Sequence, residues 1–148
     1  MLKVFGIGNP LLGDDGIALH LIKQLQNNPL LTPYMTFFEA ETDCFYALQE
    51  MAYDDFVIII DSCYFKKPLG SLVCHPLDTC PITAYGAMHS LNLLTELRLY
   101  FPQIKGVFIG IEVHDFQPSL SLSPQLYSFL PKLHLEVTQL LLSLARSH

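Results

Sequence analysis

Apolar positions along the chain fall into two alternating periods, one suited to strands and one to helices. Residues 2–7 form a short apolar run closed by Gly8-Asn9-Pro10. Residues 16–25 follow with Ile17, Leu21, Ile22 and Leu25 on one helical face, so the two segments read as a βα unit. Residues 35–40 suit a second strand, and residues 43–51 a second helix with Phe45, Leu48 and Met51 at helical spacing. The clearest strand is Phe56-Val57-Ile58-Ile59-Ile60, a continuous and largely β-branched run of the kind that a strand buried on both faces of a parallel sheet requires. It ends abruptly at Asp61. Residues 71–74 read as a brief fourth strand, placed near a sheet edge by Pro68 and Pro76, and the segment from there to Ala87 reads as loop. Residues 90–100 repeat the helical spacing, and residues 106–113 form a fifth strand. Ser123-Pro124 then reads as the N-cap and first helical position of a closing helix that runs towards Ala145, its leucines a core-facing stripe. Strands alternating with helices of about ten residues predict an α/β three-layer sandwich, with a largely parallel, about five-stranded central sheet flanked by helices.

Composition narrows this picture. A chain of 148 residues with no internal repeat or linker is expected to be one domain over residues 1–148. Its 51% hydrophobic content excludes intrinsic disorder. At this length folding buries roughly 69% of the unfolded surface, so a core forms without disulfides or a structural metal. Eight Lys and Arg against 14 Asp and Glu leave a net charge of -6 and no basic stripe, which argues against a general nucleic-acid binder. The four cysteines form no C-x-x-C pair and read as reduced, mostly buried thiols of a cytosolic protein. The first residues lack the apolar stretch and cleavage site of a secretory signal, and no segment reaches the roughly 18 uninterrupted apolar residues of a spanning helix. A cytoplasmic location away from the membrane is the expectation.

In an open α/β sheet, ligands gather in the crevice beyond the carboxyl ends of the strands. Three places there carry chemistry: the loop Gly6-Ile7-Gly8-Asn9-Pro10-Leu11-Leu12-Gly13-Asp14-Asp15-Gly16, then Asp61, then His89. The loop fails as a dinucleotide fingerprint, because the third glycine of G-x-G-x-x-G falls at Leu11. It fails as a P-loop for want of a closing Gly-Lys-Ser/Thr. Two carboxylates at a helix start repel a pyrophosphate and favour a cation. Each residue also has a plainer role. Asp at a helix start stabilises by about 0.5–2 kcal/mol, and capping alone suits Asp14 better than Asp15. Asp61 alone reads as an Asx turn, and His89 alone as a helix-start histidine bonded to backbone. Together they offer two hard oxygens and one borderline nitrogen, a set suited to a divalent transition metal with positions left open for substrate. Glu112 lies at another strand end, where it reads as an exposed loop acid that could line the cleft. His20, His75, His114, His134 and His148 read as surface or packing residues. No Gly-x-Ser-x-Gly is present, and Cys63 lacks a glycine turn, which argues against a covalent hydrolase.

The run Gly6 to Gly16 resembles the signature of the [NiFe]-hydrogenase maturation endopeptidases. Three later features agree in order: Asp61 at the end of an apolar strand, His89 with Ser90-Leu91 at a helix start, and Gly110-Ile111-Glu112 with Leu122-Ser123-Pro124. The resemblance spans nearly the whole chain. It implies a cytosolic endopeptidase that removes a short C-terminal peptide from the precursor of a hydrogenase large subunit once nickel is inserted. Asp15, Asp61 and His89 would be the catalytic, metal-contacting residues. The nickel would be carried by the precursor's own cysteine thiolates, and other divalent metals could occupy the site. Ala18, Ser62 and Val113 depart from the family's usual glycine, alanine and proline, and Asp15 is glutamate in some members; these departures bear on partner choice more than on activity. Two readings from other classes stand beside it: a non-catalytic maturation chaperone that binds the metal-loaded precursor, and a nucleotide-binding α/β domain favoured only by Gly6-x-Gly8.

Overall fold

The apolar runs assemble into one sheet in the computed structural model, which describes residues 1–81 and 88–148, with residues 88–92 as backbone only. The strands are β1 (Leu2–Ile7), β2 (Met35–Glu41), β3 (Phe56–Cys63), β4 (Leu72–Pro76) and β5 (Lys105–Glu112), in the spatial order β2-β1-β3-β5-β4. Pairing is parallel throughout except at the edge, where β4 runs antiparallel to β5. The helices are α1 (Ile17–Leu25), α2 (Cys44–Gln49), α3 (Met88–Tyr100) and α4 (Pro124–Ser147).

Side-chain alternation splits the core in two. Val4 of β1, Ile58 and Ile60 of β3, and Ile109 and Ile111 of β5 pack with the buried faces of α1 and α4. Phe5 and Ile7, Val57 and Ile59, and Phe108 belong to the opposite cluster, with Ala47 of α2 and Leu93, Leu94 and Leu97 of α3. This is the predicted three-layer α/β architecture, with helices on both faces of a mostly parallel sheet. The chain leaves β1 towards β2 on one side and later returns to β3 on the other. The carboxyl ends of β1 and β3 therefore flank a topological switch point, the place where such sheets bind ligands.

Four local expectations need correction. Strand β3 continues past the apolar run, because Asp61, Ser62 and Cys63 pair with Gly110, Ile111 and Glu112 of β5 and backbone pairing does not depend on apolar side chains. A 3-10 turn over Gly13–Gly16 precedes α1, which starts at Ile17. Helix α2 has only six residues; Asp43 caps it, accepting from the Tyr46 N–H at 2.9 Å. So short a helix turns Ala47 to the core and leaves Phe45 71% exposed, although periodicity grouped it with the core. The thiols divide evenly rather than being mostly buried: Cys63 and Cys80 are buried, Cys44 is half-buried and Cys74 is exposed on the edge strand. Of the loop expected up to Ala87, residues 82–87 lie outside the described residues.

Helix α4 follows its sequence signals. Ser123 caps it, with Oγ accepting from the Leu126 N–H at 3.3 Å, Pro124 opens it, and Leu126, Leu133, Val137 and Leu141 form its buried stripe. Among the described residues, no helix is long and apolar enough to cross a membrane.

Candidate active site

Strand β1 ends at Ile7, and Gly8 follows with φ +145°, a region that glycine alone enters readily. A Cβ at Gly8 would overlap the Asp15 carbonyl oxygen and lie 3.7 Å from Asp61 Oδ1. The missing side chain thus lets the Asp15 backbone close down beside the Asp61 carboxylate. The loop is shaped by an Asx turn, Asn9 Oδ1 accepting from the Leu11 N–H at 2.9 Å, and by the Asp15 N–H donating to the Leu12 carbonyl at 3.2 Å.

Asp15 and Asp61 are both buried. Asp15 Oδ2 accepts from the Asn9 N–H at 2.8 Å, and Asp15 Oδ1 accepts from the Ser62 hydroxyl at 2.6 Å. Asp61 Oδ1 accepts from the Ser62 N–H at 2.7 Å, a bond to the adjacent residue in a strand rather than an Asx turn. Ser62 therefore joins the two acids. A carboxylate offers about four lone-pair directions, so Asp15, with one hydrogen bond described at each oxygen, keeps capacity for a cation. These donors fit a divalent metal ion.

Asp14 does something else. It caps no helix; its oxygens accept from the Ser123 N–H at 2.7 Å and the Ser123 hydroxyl at 2.8 Å, which ties the loop to the start of α4. The capping role expected of it is replaced because the 3-10 turn carries the side chain towards α4 instead. Two backbone bonds strengthen the same seam, Gly13 N–H to the Ser119 carbonyl at 2.8 Å and Ser119 N–H to the Leu11 carbonyl at 3.0 Å.

Glu112 is likewise no exposed loop acid. It is the last residue of β5 and 0% exposed, and its Oε1 accepts from the Phe65 and Lys67 N–H groups, each at 2.7 Å. It thereby organises the turn that follows β3, where Lys66 takes φ +58° and the Lys67 carbonyl lies 2.8 Å from His114 Nε2. Its position at the carboxyl end of a predicted strand placed it on the rim, but the sequence carries no signal for its backbone partners. Burial, then the negative charges of Glu112 and Asp61, push the Cys63 thiol far above its ordinary pKa. Cys63 is therefore a protonated core residue and no nucleophile.

His89 stands in the first turn of α3, but its side chain lies outside the described residues, as do those of Ser90 and Leu91. Among the described residues no three His, Cys, Asp or Glu side chains gather as a metal site.

A family model described as hydrogenase maturation protease matches residues 19–139, a span that holds Asp61 and position 89 and begins after Asp15. The hydrogenase 2 maturation protease of Escherichia coli strain K12 is 28% identical over 131 residues, which cover 83% of this chain and 79% of that protein. The solved structure of the E. coli hydrogenase maturating endopeptidase HybD is 25% identical and superposes with a TM-score of 0.75, over 92% of this chain and 88% of that one. The [NiFe] hydrogenase maturation protease HybD of Thermococcus kodakarensis, 22% identical, shares the fold with a TM-score of 0.67 over 94% of this chain and 97% of that one. With the family model covering most of its length, the chain belongs to the hydrogenase maturation proteases and is a peptidase that serves hydrogenase maturation.

Proposed function

We propose that the chain, acting as one cytoplasmic domain over residues 1–148, removes a short C-terminal peptide from the nickel-loaded precursor of a [NiFe]-hydrogenase large subunit, with Asp15, Asp61 and His89 contacting the nickel that the precursor carries. The observation that supports this most is the buried pair Asp15 and Asp61, joined through Ser62 at the switch point between β1 and β3. Their oxygens are hard donors suited to a divalent ion, and His89, at the start of α3, supplies the borderline nitrogen that the family resemblance implies. Two adjacent carboxylates removed from water repel one another, and a cation between them offsets that repulsion. A precursor without nickel brings no such compensation, so these acids would read metal loading as the condition for cleavage. Asp15 is held at both oxygens and Asp61 sits in the central strand, so little reorganisation is needed when the ion arrives and the tail is held in register. Nickel held there would supply Lewis acidity to polarise a peptide carbonyl.

The test is incubation of the purified protein with nickel-loaded and nickel-free precursor, with intact mass as the readout. Loss of a short C-terminal peptide from the loaded sample alone is expected, and Asp61→Asn should abolish it while the fold persists. Undiminished cleavage by that variant sinks the assignment. The same readout separates a peptidase from a chaperone, which changes no mass.

A further inference from the structure

We propose that Ser62 is a positioning residue of this site, whose hydroxyl and backbone N–H hold Asp15 and Asp61 in one fixed relation so that both meet the same ion. The inference rests on the reading that these acids contact the precursor's nickel, and it replaces the expectation that Ser62, standing where the family usually has alanine, bears on partner choice more than on activity.

Ser62 is fully buried in β3, the middle strand of the sheet, and is paired with Ile111 of β5. Successive side chains of a strand leave on opposite faces. By that alternation Asp61 shares the face of Val57, Ile59 and Cys63, and Ser62 shares the face of Ile58 and Ile60, where α1 and its preceding 3-10 turn lie. Asp15 arrives from this turn. One residue thus reaches both acids, its hydroxyl donating to Asp15 Oδ1 at 2.6 Å and its N–H donating to Asp61 Oδ1 at 2.7 Å.

A buried hydroxyl is costly unless bonded, and this one is bonded to a carboxylate at the short separation of a charge-assisted bond. The terminal torsion of an aspartate is broad, so the Asn9 N–H at Oδ2 alone leaves the plane of the Asp15 carboxylate able to swing. The second bond, at Oδ1, fixes that plane. Because the donor is part of the strand that carries Asp61, it fixes the plane relative to the other acid. Partners that orient a metal-contacting side chain typically change metal affinity or activity by about 10–100-fold when removed.

The experiment uses the full chain and three substitutions, Ser62→Ala, Ser62→Val and Ser62→Thr, each verified as folded by circular dichroism at the assay temperature. Affinity is read by titration calorimetry with Ni2+ alone and, in parallel, with nickel-loaded precursor. S62A removes the donor; S62V and S62T have nearly the same shape, but only threonine keeps the hydroxyl. The expected result is about tenfold weaker binding for S62A than for the wild type, and for S62V than for S62T. Wild-type affinity in S62A, or equal affinity in S62V and S62T, overturns the proposal. Asp15→Asn is the control for the underlying reading. If the wild type binds through Asp15 while S62A matches it, the role of Ser62 alone falls. If Asp15→Asn leaves the affinity for both probes unchanged, the reading of the site falls and the role of Ser62 with it.

Discussion

Glu112 shows how much one buried acid can organise. Its carboxylate accepts from two backbone N–H groups, Phe65 at 2.7 and 3.0 Å and Lys67 at 2.7 Å, at the turn that leaves β3 just beyond the site acids. Glu112→Ala would leave both part-buried donors without this acceptor, at a cost of about 1–2 kcal/mol. Glu112→Gln keeps one carbonyl oxygen for them and should lose less than half as much. Urea denaturation with an unchanged slope checks both, and an alanine variant within 0.5 kcal/mol of the wild type, roughly the scatter of neutral substitutions, would remove Glu112 from this role. Nothing local in the sequence announces such a contact, since the donors are main-chain groups up to 47 residues away. The same holds for Ser62. Its hydroxyl finds Asp15 across 47 positions, and a serine beside an aspartate in an apolar strand carries no sign of which way it donates.

At the scale of elements, the loop that bears Asp15 is anchored to the start of α4. Ser123 Oγ accepts from the Leu126 N–H at 3.3 Å as a cap while donating to Asp14 Oδ2 at 2.8 Å, so one hydroxyl serves the helix and the loop together. An acid at that helix start is also favoured by the helix dipole. Ser123→Ala should therefore cost about 1–2 kcal/mol in urea denaturation, with Asp14 still held by the Ser123 N–H. A cost near zero would mean that water replaces the hydroxyl in both tasks. The cap itself was legible because Ser-Pro before a leucine stripe is a local signal, and so was the centre of β3, a run of residues buried on both faces. The last three residues of β3 were not, because their strand conformation comes from pairing with β5 rather than from their own side chains. Phe45 misled for a related reason: helical spacing says which residues share a face, not whether that face is covered. Asp15 and Asp61 were legible as a pair because both follow apolar runs whose strands lie side by side, whereas the turn of Asp14 towards α4 depends on a contact 109 positions away.

At the scale of the whole molecule, the site depends on the integrity of the central strand. Cys63 lies two residues beyond Asp61 in β3, fully buried against the α2 and α3 layer, and its thiol is held protonated by burial and by the neighbouring charges of Glu112 and Asp61. Thiolate is the form that alkylating reagents attack, so Cys63 should react only when the sheet opens and water reaches it. Cys74, exposed on the edge strand β4, should label in the native state. Iodoacetamide labelling followed by peptide mass analysis separates the two. In rising urea the logarithm of the Cys63 rate should increase linearly with the slope of global unfolding if the carboxyl end of β3, where Cys63 pairs with Glu112, opens only together with the rest of the sheet. Native-state labelling of Cys63 at a rate comparable with that of Cys74 would mean that the carboxyl end of β3 opens by itself. Asp61 and Ser62 would open with it, and the fixed relation of the two acids would hold only part of the time. Slow labelling, with the global slope, means that the acids stay in place for as long as the molecule is folded.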